Sequence, residues 1–108
     1  MPSVTIFIAE AGMPAQTSLA ALSSACDTLC TDVLNAAPGT VHVAFVPVRH
    51  GCGHPVSAEI RFRLGRLRTA ELIDRFMASL DREILRHTGL VARIRCFGHD
   101  SAHLHARN

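Results

Sequence analysis

The stretch MPSVTIFI, residues 1–8, combines a proline near the amino terminus with an apolar run. Val4–Ile8 is rich in β-branched and aromatic residues, which is typical of a strand in a packed core. Pro2 stands just before this strand. A small second residue generally allows the initiator methionine to be removed, and Pro2 would then carry the terminal amine. The sequence therefore predicts a secondary amine at the edge of the core.

The chemistry of such an amine makes Pro2 a candidate catalytic base. A free α-amino group has a pKa of about 7.7–8.0, and desolvation lowers that pKa by disfavouring the ammonium form. A base with a pKa near ~7 is well matched to neutral pH. The alternative interpretation is an ordinary start codon followed by a strand. If Met1 is retained, the Pro2 nitrogen is an amide and has no basic lone pair.

Composition limits the class of protein. The 108 residues fit one domain, covering 1–108, and the 48% hydrophobic content is enough for a packed core. No apolar run could span a membrane and no signal segment is recognisable, so we expect a cytoplasmic protein without a membrane partner. All 11 basic residues are arginines, and the net charge of +2 is too small to favour a nucleic-acid partner.

Hydrophobic periodicity predicts two β-α-β halves, at about 2–48 and 57–97. The predicted strands are Val4–Ile8, Val41–Val48, Ser57–Leu64 and Val91–Phe97. Helical periodicity begins at about Thr17, with Thr17 or Ser18 as its cap, and ends before Pro38. The second helix should begin at the cap residue Thr69 and end at Gly89. Pro47 indicates that the second strand lies at a sheet edge.

Two β-α-β units predict an α+β fold of two layers, with one four-stranded sheet and both helices on one face. The other face would then be uncovered in a single subunit. Arg61, Arg63, Arg93 and Arg95 alternate onto that uncovered face. Arginine binds carboxylates through a planar fork of donors, so the uncovered face should meet a small anionic ligand or another subunit. A solvated face is the simpler alternative. Glu59 shares the face, and we expect it to be a structural ion-pair partner; the alternative is that it orients an arginine or a water.

Several short motifs, in the right order along the whole chain, resemble those of the tautomerase superfamily. The start Met1-Pro2 is similar to the amino-terminal proline of its members. Gly53-His54-Pro55, Gly65-Arg66, Ile94-Arg95 and the closing His105-Ala106-Arg107 resemble motifs of one branch, the 5-carboxymethyl-2-hydroxymuconate isomerases. The resemblance implies the ferredoxin-like tautomerase architecture, a homotrimer, no cofactor, and an isomerase of aromatic catabolism. Its reaction class is 1,3-proton transfer between enol and keto forms.

The same resemblance implies the roles of the site residues. Pro2 would be the general base, and Arg61, Arg63, Arg66 and Arg49 would bind the carboxylates of the substrate. The chain departs from the branch in its second strand, where His42 and Ala44 replace basic residues. Arginines two apart on the third strand also resemble the dehalogenase and decarboxylase branches, which leaves a hydrolytic reaction open.

A second class of function is also open. His50, Cys52 and His54 alternate with glycines in the middle loop, and imidazole and thiolate are zinc and copper ligands. Together with a retained Met1, this loop would favour a catalytically silent trimeric binding module that holds a metal. The loop spacing is not that of a usual zinc finger, so no metal ligand is assigned. His50 or His54 could alternatively supply a second acid to the active site.

Overall fold

The structure, a computed structural model, describes every residue from Met1 to Asn108. It contains four strands and two long helices. The strands are β1 (Ser3–Ala9), β2 (His42–Val48), β3 (Val56–Arg63) and β4 (Ala92–His99), and the helices are α1 (Gln16–Asp32) and α2 (Ala70–Thr88). Short 3-10 turns lie at Glu10–Gly12 and Ser101–His103. The predicted succession of elements is confirmed.

The four strands form a single sheet in the order β2-β1-β3-β4. Strands β1 and β2 are parallel, as are β3 and β4, and each pair is joined by one helix. The two central strands, β1 and β3, are antiparallel, with Ser3 opposite Arg61. Strand β2 is an edge strand, which agrees with the position of Pro47. This topology brings the start of β1 beside the ends of β3 and β4.

The core lies between the sheet and the two helices. Alternate residues of the central strands are fully buried, among them Ile6, Ile8 and Ile60. Helix α1 contributes Cys26 and Cys30, and helix α2 contributes a row that includes Phe76. No buried side-chain nitrogen or oxygen lacks a hydrogen-bond partner. None of the buried residues is polar or charged. Burial of apolar surface, which contributes roughly 25 cal/mol per Å², therefore holds the two layers together.

The ends of helix α2 agree with the sequence, whereas the start of α1 does not. Thr69 caps α2 by accepting a hydrogen bond from the Leu72 backbone N–H at 3.2 Å. Gly89 ends α2 in the left-handed region at φ 72°. Helix α1 begins earlier than predicted, at Gln16, after Ala15, and no side chain caps it. The prediction of Thr17 or Ser18 as cap is wrong because both residues already lie inside the first turn.

Replacing Thr69 with alanine is expected to lower the free energy of unfolding by about 1 kcal/mol, because the substitution leaves the Leu72 N–H without its acceptor. Urea denaturation followed by circular dichroism measures the difference. Thr17→Ala is the matched control, since Thr17 is exposed within α1 and caps nothing. Equal effects of the two substitutions would contradict the assigned cap.

The face of the sheet opposite the helices is open. Arg61, Arg63, Arg93 and Arg95 are all exposed on it, as the alternation predicted. The strand register separates them into two groups. Arg61 pairs with Ser3 at the end of the sheet that holds the amino terminus, whereas Arg93 pairs with Ser57 toward the other end. Arg95 pairs with Glu59, midway between them, so Arg61 and Arg63 lie nearest the start of β1. No helix is long and apolar enough to cross a membrane.

Candidate functional site at the amino terminus

Pro2 lies in the core at the start of a central strand. It is almost completely buried, and its carbonyl accepts a hydrogen bond from the His42 backbone N–H at 3.1 Å. This bond joins Pro2 to the edge strand β2. Met1 leads away from the core and is 49% exposed. The nitrogen of Pro2 therefore stands where the buried strand meets solvent.

A cavity of about 230 Å³ adjoins the amino terminus, and we call it the amino-terminal cavity. Its wall is formed by β1, β3, β4 and the carboxyl-terminal tail. The lining residues are Met1, Ser3, Arg61, Phe62, His99 and Leu104. The cavity is large enough for a small organic acid, and its wall is partly cationic and partly apolar.

A second cavity lies beside the turn that joins β3 to α2, and we call it the turn cavity. Its volume is about 300 Å³. The lining residues are Leu34 and Asn35, which follow α1, and the run from Arg63 to Arg68. This cavity contains three arginines, two of which, Arg63 and Arg66, are exposed. An anion near the amino terminus would thus find guanidinium groups on the sheet and on the turn.

Arg61 is held in place by two neighbours on the open face. Its guanidinium lies 4.4 Å from the centroid of the Phe97 ring. It also lies 3.8 Å from a carboxylate oxygen of Glu59, which confirms Glu59 as an ion-pair partner. The Arg61 side chain is still half exposed, so this ion pair is weak and screened by water. The guanidinium is oriented but remains available to a carboxylate ligand.

The electrostatics at the amino terminus favour a neutral amine. The pKa of the Met1 amino group is lowered, first by desolvation and then by the positive charges of Arg68 and Arg63. Both arginines belong to the end of β3 and the turn that follows it. Desolvation and nearby cations both disfavour the ammonium form, so these causes act in the same direction.

Arg49 lies elsewhere in the chain. It follows Val48, which pairs with Ala9 at the far end of β1 from Pro2. Strands rise about 3.3 Å per residue, so the length of β1 places Arg49 roughly 20 Å from Pro2. The structure therefore brings together Pro2, Arg61, Arg63 and Arg66 at one end of a single subunit, but not Arg49.

The middle loop lies at that far end as well. His50 donates a hydrogen bond from Nε2 to the carbonyl of Gly53 at 3.1 Å, and Cys52 and His54 are exposed. No three His, Cys, Asp or Glu side chains in the chain are grouped so that they could hold a metal ion. Within one subunit, His50 and His54 are also too distant to serve as acids for Pro2.

The sequence interpretation missed His99. The predicted fourth strand stopped at Phe97, whereas β4 continues to His99, whose carbonyl accepts from the Leu64 N–H at 2.8 Å. His99 pairs with Arg63 and lines the amino-terminal cavity. The available signal was the alternation of Arg93, Arg95, Phe97 and His99, which continues the open face by one further residue.

Three of the four thiols are core groups. Burial raises the pKa of Cys26 and of Cys30 to about 12 and that of Cys96 to about 11. These cysteines are therefore protonated and unreactive at neutral pH. None of the four cysteines forms a disulfide.

Comparison with solved structures identifies the fold. Pt0534 inactivated by 2-oxo-3-pentynoate superposes with a TM-score of 0.80 at 18% identity, over 94% of this chain and 89% of that one. N1, a member of the cis-3-chloroacrylic acid dehalogenase family, gives 0.80 at 20% identity, over 96% and 79%. A fused 4-OT symmetric trimer gives 0.79 at 14% identity, over 98% and 92%.

The chain has the same fold as these three proteins. No protein-family model and no curated protein matches the sequence. At 14–20% identity these superpositions establish the architecture alone. The likeness therefore assigns no role to an individual residue.

Proposed function

We propose that this chain is a tautomerase that catalyses a 1,3-proton transfer, from enol to keto form, with Pro2 as general base once Met1 has been removed. The observation that carries the proposal is the position of Pro2. It is a buried residue at the start of a central strand, directly beside a cavity that Arg61 lines. A secondary amine at this position would be poorly solvated and would lie beside the cationic wall of the amino-terminal cavity.

The base would act as a neutral amine. Removing Met1 would transfer the terminal nitrogen to Pro2, which is more deeply buried than Met1. Desolvation and the charges of Arg63 and Arg68 would then favour the unprotonated form, as they do for the Met1 amine. In the proposed reaction this lone pair accepts a proton from the enol oxygen or from a carbon beside the carbonyl. The resulting ammonium returns the proton to the more distant carbon.

The arginines support a carboxylated substrate. Arg61 lines the amino-terminal cavity, and Arg63 and Arg66 line the turn cavity, at the same end of the subunit as Pro2. In the proposal they bind the carboxylates of a small unsaturated keto-acid and polarise its carbonyl. Bidentate binding of this kind fixes the reacting atoms relative to the base. We propose a substrate of the 5-carboxymethyl-2-hydroxymuconate type, acted on in the cytoplasm during aromatic catabolism.

We also propose a homotrimer. The open face carries four exposed arginines and no helix covers it, and one solved structure with this fold, the fused 4-OT protein, is a symmetric trimer. In such an assembly Arg49 of one subunit could reach the Pro2 of another. Arg49 would then join Arg61, Arg63 and Arg66 at a site formed between two subunits.

Two assays test the proposed reaction. Purified protein whose terminus is Pro2 should accelerate the conversion of phenylenolpyruvate or 2-hydroxymuconate from enol to keto form, followed by loss of the enol absorbance. The rate should saturate with substrate and fall as the pH drops and the amine becomes protonated. Absence of any acceleration over buffer for both substrates would contradict the proposal.

A hydrolytic dehalogenase is the second candidate. Its support is the pair Arg61 and Arg63 on one face of β3, together with the likeness to N1, which belongs to the cis-3-chloroacrylic acid dehalogenase family. The discriminating measurement is release of chloride from the two 3-chloroacrylate isomers. Chloride release without enol-to-keto conversion would assign the site to this reaction instead.

A further inference from the structure

Arg68 differs from every other arginine in the chain. It is the one member of the eleven that is not exposed. It lies at the end of the turn between β3 and α2, one residue before the cap of α2. A partly buried guanidinium must find hydrogen-bond partners to offset its desolvation. The contacts of Arg68 therefore indicate what the structure uses it for.

Those contacts are two backbone carbonyls and one aromatic ring. The Arg68 Nε donates to the carbonyl of Leu34 at 2.9 Å, and one terminal nitrogen donates to the carbonyl of Arg63 at 2.8 Å. The guanidinium carbon lies 5.5 Å from the centroid of the Phe62 ring. Leu34 follows helix α1, and Arg63 is the last residue of β3. Arg68 thus joins the segment after α1, the end of β3 and the turn before α2.

No carboxylate neutralises this guanidinium. Both hydrogen-bond acceptors are neutral carbonyls, and none of the ion pairs in the structure involves Arg68. Its positive charge is therefore unpaired and held in place. Phe62, the ring beneath it, also lines the amino-terminal cavity that contains Met1. The charge consequently lies just behind the wall of that cavity.

We propose that Arg68 is a positioning residue of the site: it fixes the backbone that carries Arg63 and holds an uncompensated positive charge beside the amino-terminal nitrogen. The inference rests on the proposed function, in which that nitrogen is the base. It adds that Arg68, although it lines the turn cavity beside Arg63 and Arg66, has its Nε and one terminal nitrogen bonded to backbone carbonyls and acts through the backbone and the electric field.

The electrostatic part agrees with the direction of the shift at the amino group. After desolvation, Arg68 is the larger of the two charges that lower the pKa of the Met1 amine, ahead of Arg63, and the proposal extends the same direction to the Pro2 nitrogen. The other titratable side chains around the amino terminus include Arg61 and His99 in the cavity, Glu59 paired with Arg61, and His42 on the adjacent edge strand. Among these groups, Arg68 is the one whose guanidinium is held by two backbone carbonyls.

The test compares Arg68→Gln with Arg68→Lys in the full chain. Removing the charge should raise the pKa of the terminal amine, so the acid limb of the kcat/KM profile should move to higher pH. Any loss of kcat/KM at high pH reflects effects other than the pKa. At low pH, where the amine is mostly protonated, we expect kcat/KM of Arg68→Gln to fall by a further factor of about three or more, because one partly screened unit charge is lost. Arg68→Lys should keep the limb of the wild type but raise KM, because lysine lacks the fork that holds both carbonyls.

A labelling measurement makes the result independent of the reaction. The chain has no lysine, so the terminus is its only aliphatic amine. The rate of its acetylation by acetic anhydride, measured across pH by mass spectrometry, reports how much of the amine is unprotonated. Hydroxylamine removes acetyl groups from cysteine and histidine but not from the amine. The labelling profile should move to higher pH in Arg68→Gln. In Arg68→Lys, where peptide mapping separates the terminus from the new side chain, the profile of the terminus should stay in place.

The control is Arg82→Gln, which removes an exposed arginine on α2 that bonds only Ser79. Unchanged labelling and pH profiles in Arg68→Gln would overturn the inference. Should Arg68→Gln fail to fold, Arg68→Lys decides, since an upward shift with the charge retained would also overturn it. A shifted labelling profile in a protein without enol-to-keto activity would refute the proposed function and leave the electrostatic role of Arg68 standing.

Discussion

Replacement of Pro2 with alanine is expected to lower kcat/KM for enol-to-keto conversion of phenylenolpyruvate by about 100-fold or more, the usual contribution of a positioned general base. Alanine is also small enough for Met1 to be removed, so an amine would remain. That amine would be primary and free to rotate, and it would lack the pyrrolidine ring of Pro2, which is buried. The loss should therefore arise from misplacement and altered basicity of the base.

The matched control is Pro14→Ala, which removes a half-buried proline from the loop before α1 and should leave the rate unchanged. Thermal unfolding of both variants separates catalytic loss from unfolding. A Pro2→Ala variant that is folded, has lost Met1 and retains activity within about threefold of the wild type would contradict the role of Pro2 as base.

Replacement of Arg61 with glutamine is expected to raise KM for a carboxylated substrate by roughly 10- to 100-fold, with a smaller effect on kcat. A charge-assisted hydrogen bond to a carboxylate is worth about 1.5–3 kcal/mol, which corresponds to this range. Arg61 is suited to that role because Phe97 orients its guanidinium and the weak pair with Glu59 leaves it half exposed. Steady-state kinetics at fixed ionic strength measure both constants.

Arg93→Gln is the control for Arg61→Gln. Arg93 is exposed on the same face of the sheet but pairs with Ser57, away from the amino terminus. The substitution removes the same charge from the same face and should leave the KM of the protein nearly unchanged. Equal increases in KM for the two variants would indicate a general field effect of the open face in place of a specific contact by Arg61.

The fold was largely predictable because it depends on local patterns. The alternation of Ile60, Phe62 and their charged neighbours specified a half-buried strand, and Thr69 and Gly89 specified the ends of α2. The start of α1 was missed because Ala15 caps it without any side-chain hydrogen bond. A helix that begins without a capping side chain leaves no local signal in the sequence.

The site was less predictable because it depends on how the strands are paired. Local periodicity does not reveal that β1 and β3 are antiparallel, and this pairing places Arg61 beside Ser3 and Arg49 at the far end. The same pairing brings His99 to the amino terminus. Arg68 could not be distinguished from Arg66 by sequence, since only the folded turn directs one toward two carbonyls and leaves the other exposed.

The state of the terminal nitrogen decides whether Pro2 can act as a base. Intact mass of the purified chain, followed by reductive methylation with formaldehyde, determines this state in one experiment because no lysine competes. The account predicts a mass that lacks one methionine and the addition of a single methyl group, as for a secondary amine. Retention of methionine with the addition of two methyl groups would show a primary amine on Met1 and would contradict Pro2 as the base.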